Sequence, residues 1–244
     1  MKVGQHPMVS QLLKGVSNER PPQPRCYFTW DVSKVLNFIR TLPDNKELDF
    51  KTLSYKTLTL LAVCQINRSK ELEGINVKFM AHHEDYTQCG FGIRVKHRRR
   101  GKPTPPIFFH AFPSEPKVCP VACLRYYESI TKAARTEQNT SGFFLSTNKP
   151  HHPVTKSTLA GWLLKMLSRA GIDVNGISAH SVRSASSSKA ASKGVSIKDI
   201  LKQGNWSNED VWQGFYHKNV HKEDSPIANS LRASKTYQQA VLGD

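Results

Sequence analysis

The sequence predicts an α+β fold, mainly helical, with one small antiparallel sheet of three strands, and three observations predict it. Apolar residues recur at helical spacing before residue 67 and again after residue 119. Between them, the stretch 75–107 alternates apolar and polar residues and is broken by glycines and prolines, the pattern of short half-buried strands. Strand does not alternate regularly with helix, and no glycine-rich phosphate-binding loop of the dinucleotide or P-loop type occurs, which excludes a doubly wound nucleotide-binding sheet.

Taken in order, residues 1–45 carry Pro7, Pro21, Pro22, Pro24 and Pro43 and read as an extended arm interrupted by one short helix, Thr29 to Leu42. Thr29 is its expected N-cap, and Val32, Val35, Leu36, Phe38 and Ile39 form its apolar stripe. A second helix is expected from about Leu53 to Asn67, with Ser54 as cap and Leu58, Leu61, Ala62 and Ile66 facing inward. Val77 and Phe79, then Phe91, Ile93 and Val95, carry the strand alternation. Helices are expected again at Val121 to Ala133, Thr155 to Ala170, His180 to Lys193, Ile197 to Gln203 and Asn208 to Phe215. Ser157 reads as a start signal, and Gly171, Gly194 and Gly204 as stop signals. A last amphipathic helix is expected from Pro226 to Leu242, through Ile227, Leu231, Tyr237 and Val241.

The chain has 244 residues, enough for one or two domains with a full core. Thirty-five Lys and Arg stand against 19 Asp and Glu, and a formal charge of +16 calls for a polyanionic partner. With 38% hydrophobic and 9% aromatic residues, a wholly disordered basic tail is excluded. The longest apolar run, Leu58 to Cys64, is broken by Thr59, so no membrane span is read. Cys26, Cys64, Cys89, Cys119 and Cys123 are an odd number, which favours a reducing compartment over a disulfide framework. The N-terminus shows no apolar stretch with a small-residue cleavage site, and an intracellular location is expected.

Four places set cations or a nucleophile where a phosphodiester needs them. Arg68 stands at the junction of two helices, beside backbone N–H groups that suit an anion. Arg94-Val-Lys-His-Arg-Arg-Arg-Gly-Lys102 concentrates positive charge at an expected hairpin tip. His180-Ser-Val-Arg183 puts an imidazole and a guanidinium on one helical face. Trp206 through Phe215-Tyr216-His217 is a short helix ending on an aromatic pair. Singly, each has an ordinary explanation: a surface helix end, a solvated turn, a surface ion pair, core aromatics. Their joint order along the chain is the informative feature.

That order, with His6-Pro-Met-Val-Ser-Gln-Leu-Leu-Lys-Gly15, Arg20-Pro-Pro-Gln-Pro-Arg25, Thr29-Trp-Asp31, Lys149-Pro-His-His-Pro-Val154 and Ala179-His-Ser-Val-Arg-Ser-Ala185, resembles the tyrosine recombinase, or phage-integrase-like, catalytic domain. The resemblance is closest to recombinases of DIRS-like and Ngaro-like retrotransposons and runs from about residue 6 to 218. It implies a catalytic domain at 46–222, a C-terminal tail at 223–244, and a helical core-binding domain that is absent or truncated in the arm of residues 1–45. It further implies that Arg68 and Arg183 clamp the scissile phosphate, Lys96 protonates the leaving 5′ oxygen, His180 assists proton transfer, Trp206 fills the His-or-Trp position and Tyr216 is the nucleophile. Lys102 is the alternative to Lys96. Arg94, Arg98, Arg99, Arg100 and Lys102 would grip the DNA backbone. The implied partners are double-stranded DNA and copies of the chain itself in a tetramer, with no cofactor, no nucleotide and no membrane, in the nucleus. The tail would dock on a neighbouring protomer.

The residues agree with that chemistry on physical grounds. Two arginines can neutralise the non-bridging oxygens of a pentacoordinate phosphorus without a metal. A tyrosine with an ordinary pKa near 10 is only about 0.1% ionised at pH 7, so activation must supply about 4 kcal/mol from nearby positive charge or a base such as His180. Covalent capture conserves the energy of the broken bond, so strands can be rejoined without ATP. A copy that binds DNA without cutting it and a type IB topoisomerase are the alternatives. His82, His83 and Cys89, or Cys119 and Cys123 with His110, are the nearest approach to a zinc site, but they lack paired finger-like spacing. The cysteines read as small hydrophobes, Cys64 on the buried face of its helix.

Overall fold

The computed structural model describes residues 4, 6–20, 28–95, 104–135 and 141–220. Among them the chain is helical apart from one three-stranded sheet, as the apolar periodicities predict. The arm expected to be extended is instead helical over α1, Pro7–Glu19. Proline is well placed there because the first turn of a helix has no use for its missing N–H. Met8, Leu12, Leu13 and Val16 of α1 are exposed.

Helix α2 spans Val32–Thr41 and is capped by Asp31, whose Oδ1 accepts from the Ser33 N–H at 2.9 Å. Thr29 is therefore not the cap; it is buried upstream, with its N–H bonded to the Asn219 carbonyl at 2.9 Å. Although α2 was placed in the arm by sequence, Trp30, Val35 and Ile39 enter the main core. The next helix, α3, spans Phe50–Gln65 and is capped by Asp49, which accepts from the Thr52 N–H at 3.0 Å. Ser54, the expected cap, lies a full turn inside the helix and donates to the Phe50 carbonyl at 2.6 Å. Every residue of α3 from Leu53 to Val63 is buried, so this helix is a central strut rather than a one-sided surface helix. Its Lys56 reaches Asn45 Oδ1 at 2.8 Å, and burial lowers its pKa.

The Asp49 cap yields a first prediction. Hydrogen bonds from the Thr52 hydroxyl and N–H hold its carboxyl below the usual value. Its contribution is therefore fully present above the unfolded pKa and is lost as pH falls through the lower folded one. Asp49→Ala should cost about 1 kcal/mol in urea unfolding at pH 7. The difference from the parent chain should shrink as the pH falls below about 3.8.

Helix α4, Ser69–Gly74, leads directly into β1, Ile75–His82, which pairs antiparallel with β2, Tyr86–Phe91; β3, Ile107–His110, pairs with the other edge of β2. Met80, Cys89 and Ile107 lie opposite one another across the sheet. Thr87, Cys89 and Phe109 are buried against the helices. Ile93 and Val95, expected in a strand, lie past the end of β2. Then come α5, Pro120–Thr131, α6, Lys156–Arg169, α7, Ser181–Ser192, α8, Ile197–Gly204, and α9, Glu209–Phe215, each within a few residues of expectation. Gly171 and Gly194 take the left-handed conformation expected after helix ends, with φ of 75° and 83°.

The helices α3, α5, α6 and α7 close the main core, and a smaller cluster of Ile66, Ile200, Trp206 and Trp212 closes a second. Cys89, Cys119 and Cys123 are buried, and Cys64, half-buried as a residue, has its thiol pushed up to about 12 by burial, as expected of the inner face of its helix. Burial pushes the Cys89 and Cys123 thiols up to about 12 and about 11, so they behave as small hydrophobes. His82 pairs with Glu128 at 2.8 Å and His83 stacks on Tyr86, so these histidines serve the sheet. Cys26, the residues Lys96, Arg98, Arg99, Arg100 and Lys102 of the basic run, and the expected tail helix from Pro226 lie outside the described residues.

Candidate active site

The second, smaller cluster forms the floor of a site to which α3, α7, α8 and α9 each contribute one end. Helix α3 ends at Ile66, a β-branched residue held left-handed at φ 55°, a conformation that costs of order 1–2 kcal/mol. That turn aims the Ile66 carbonyl at Arg183, whose Nη1 donates to it. The Nη2 of Arg183 donates to the Gly204 carbonyl at 2.6 Å, at the end of α8. Gly204 is not the cap expected of it; Asn205 takes the left-handed cap at φ 51°. A Cβ on Gly204 would stand 1.8 Å from the Trp206 ring, so glycine there makes room for the indole.

Above Arg183 lie two rings. Its guanidinium carbon stands 4.5 Å from the centre of Trp206 and 5.5 Å from that of Tyr216, and those rings are 4.6 Å apart. Arg183 is 1% exposed, and its buried Nε finds no acceptor among the described residues. Burial, then the neighbouring positive charge of Arg68, lowers its pKa to about 10. At pH 7 it therefore remains charged.

Arg68 sits at the start of α4, where Glu71 receives it twice: Oε1 accepts from Nη1 and Oε2 from the backbone N–H, each at 2.8 Å. Glu71 is 4% exposed, so the pair is largely withdrawn from solvent. His180 occupies the N-cap position of α7, is exposed, and places Nε2 2.9 Å from the Tyr216 hydroxyl. Tyr216 caps the end of α9, half-buried, with its N–H bonded to the Trp212 carbonyl at 2.8 Å.

The fold therefore brings together Arg68, His180, Arg183, Trp206 and Tyr216, which sequence places as far as 148 residues apart (216 − 68). Arg94, the first residue of the basic run, is exposed just past β2. Sequence reasoning missed Glu71; an acidic residue three places after a helix start was its available signal. It also missed the support from residues 28–31. Trp30 Nε1 donates to Ser181 Oγ at 2.9 Å, and Asp31 pairs with Lys189 at 3.2 Å, so this segment holds α7 at both ends. No local pattern announces such contacts, because their partners lie more than 150 residues away.

Residues 31–222 match the family model described as "Phage integrase family". No protein of curated function matches the sequence. Among solved structures, the chain is similar to XerH site-specific recombinase bound to palindromic difH substrate in a post-cleavage complex. That likeness has 12% identity and a TM-score of 0.55, and covers 88% of this chain and 53% of that one. It is similar to XerA recombinase at 17% identity and TM-score 0.54, covering 91% and 68%. It is also similar to a lambda integrase dimer bound to a COC′ core site, at 13% and 0.52, covering 87% and 54%. The chain thus spans about half the length of two of these three proteins.

Proposed function

This chain belongs to the phage integrase family, the tyrosine recombinases, and from that premise we propose that it cleaves and rejoins DNA through a covalent phosphotyrosine at Tyr216. The observation that carries the reading is the 2.9 Å approach of His180 Nε2 to the Tyr216 hydroxyl, directly above the buried charge of Arg183. In the proposed reaction the phenol oxygen attacks the scissile phosphorus and its proton passes to His180 Nε2. The bond to the 5′ oxygen breaks, and that oxygen takes a proton from Lys96 or Lys102. A free 5′ hydroxyl then attacks the phosphotyrosine and the proton transfers reverse, restoring the phenol.

Arg68 and Arg183 stabilise the charge that gathers on the non-bridging oxygens. The burial of Arg183 strengthens its part in this, since a charge withdrawn from water acts through a lower dielectric. The buried Nε of Arg183 has no acceptor among the described residues and is a donor suited to a phosphate oxygen. The Trp206 ring, 4.5 Å from the guanidinium carbon, adds a cation–π contact that holds Arg183 in place.

The substrate is double-stranded DNA, supported by the charge of +16 and by the DNA-bound state of the XerH and lambda integrase structures it resembles. Arg94, Arg98, Arg99, Arg100 and Lys102 grip the backbone, and a tetramer of the chain acts on two duplexes. The stretches that resemble DIRS-like and Ngaro-like recombinases are the support for a role in mobilising an element in the nucleus. A duplex nicked a few nucleotides 3′ of the scissile phosphate loses the short fragment that carries the freed 5′ hydroxyl on cleavage, and this traps the enzyme. Incubation with such substrates should give a covalent protein–DNA band on a denaturing gel. If no substrate in a library of candidate sites gives that band, the strand-cleaving reading falls.

A further inference from the structure

Helix α7, which carries Arg183 and is entered through His180, carries a further side chain turned toward the Tyr216 backbone. Ser188 is buried at 4% exposure, and its Oγ donates to the Tyr216 carbonyl at 3.1 Å and accepts from the Lys218 N–H at 2.9 Å. A serine inside a helix ordinarily bonds back to its own helix. Ser187 and Ser192 of α7 do so, to the carbonyls of Ser184 and Lys189. Ser188 instead directs its one donor and an acceptor lone pair to another segment, the turn that follows the tyrosine.

We propose that Ser188 is a positioning residue for the strand-cleaving tyrosine. This rests on the reading of Tyr216 as nucleophile and adds to it the device that holds that residue in place. His180 and Ser188 are separated along α7 by about 12 Å, at 1.5 Å per residue. The phenol of Tyr216 is engaged at one of these points and its peptide carbonyl at the other. Both ends of the nucleophile are thus referred to one rigid helix, which also carries Arg183. The turn is closed from the α9 side by the N–H groups of Tyr216 and His217, both bonded to the Trp212 carbonyl at 2.8 Å. With the serine hydroxyl removed, the Tyr216 carbonyl and Lys218 N–H lose their shared partner, and the phenol is aligned from one end only. A misplacement of about 1 Å can cost about 10²-fold in rate.

The test uses the whole chain and a nicked trapping duplex, comparing Ser188→Ala and Ser188→Thr with the parent. It reads duplex affinity, thermal midpoint and the single-turnover rate of adduct formation at saturating protein. Ser188→Ala should form adduct about 10- to 10²-fold more slowly, at unchanged duplex affinity. Ser188→Thr, which keeps the hydroxyl, should recover most of that rate. If the extra methyl unfolds the buried site, Ser188→Cys replaces it, its weaker donor giving a rate between those of serine and alanine. Three results overturn the proposal: parental speed in Ser188→Ala, equal slowness in the folded hydroxyl or thiol variant, or parallel loss of rate, affinity and thermal midpoint. A parent chain that forms no adduct on any substrate fails the strand-cleaving reading itself, and the Ser188 role with it.

Discussion

Tyr216→Phe is expected to abolish the covalent protein–DNA adduct while leaving duplex affinity unchanged. The ring of residue 216 packs against Trp206 and lies over the Arg183 guanidinium, and phenylalanine keeps both contacts. Only the hydroxyl is lost, and with it the hydrogen bond to His180 and the attacking oxygen. Trapping assays with the two proteins side by side decide the matter. An adduct persisting in Tyr216→Phe would transfer the role to another tyrosine, with Tyr237 the nearest further along the chain. Loss of duplex binding together with the adduct would instead make Tyr216 a core aromatic.

The second large effect is expected at Arg68, where charge stabilisation and folding are entangled through Glu71. Arg68→Ala should slow cleavage by about 10³ to 10⁵-fold, the range for an arginine that stabilises a phosphoryl transition state. It should also destabilise the fold by up to about 3 kcal/mol, because Glu71, with its side chain 6% exposed, loses its cation. Adding Glu71→Gln removes the uncompensated charge. The double variant should therefore recover most of the thermal midpoint and none of the cleavage. Regained cleavage would reduce Arg68 to a counter-ion for Glu71 and leave Arg183 as the phosphate clamp. The reverse comparison is less clean at Arg183, whose truncation would deprive the Ile66 and Gly204 carbonyls of their donor.

The basic run from Arg94 to Lys102 shows a different relation between sequence and site. Its charge is plain in the sequence, yet charge alone does not say which ammonium reaches a leaving oxygen. Arg94 is exposed just past β2, and the lysines that could act as general acid follow it outside the described residues. The choice between Lys96 and Lys102 is one for chemistry with altered leaving groups.

By itself the sequence determined the helices and their order, because apolar spacing and capping residues act over a few neighbours. Helices α5 to α9 fall within a few residues of expectation for that reason. It determined the sheet from its alternation, and it singled out Arg68, His180, Arg183, Trp206 and Tyr216 through the resemblance that their order along the chain carries. Where two local signals competed, it chose wrongly. Thr29 and Ser54 are good caps by type, but Asp31 and Asp49 stand where the first unbonded N–H groups point. The prolines of the arm outweighed the stripe of Met8, Leu12, Leu13 and Val16 that makes α1 a helix. Only the tertiary structure decided that α3 is buried on every side, that Glu71 holds Arg68, that Gly204 yields space to Trp206, and that Ser188 holds the turn after Tyr216. Each of these depends on which distant segment arrives beside a residue. That is fixed by packing across the whole chain, a quantity no window of neighbouring residues contains.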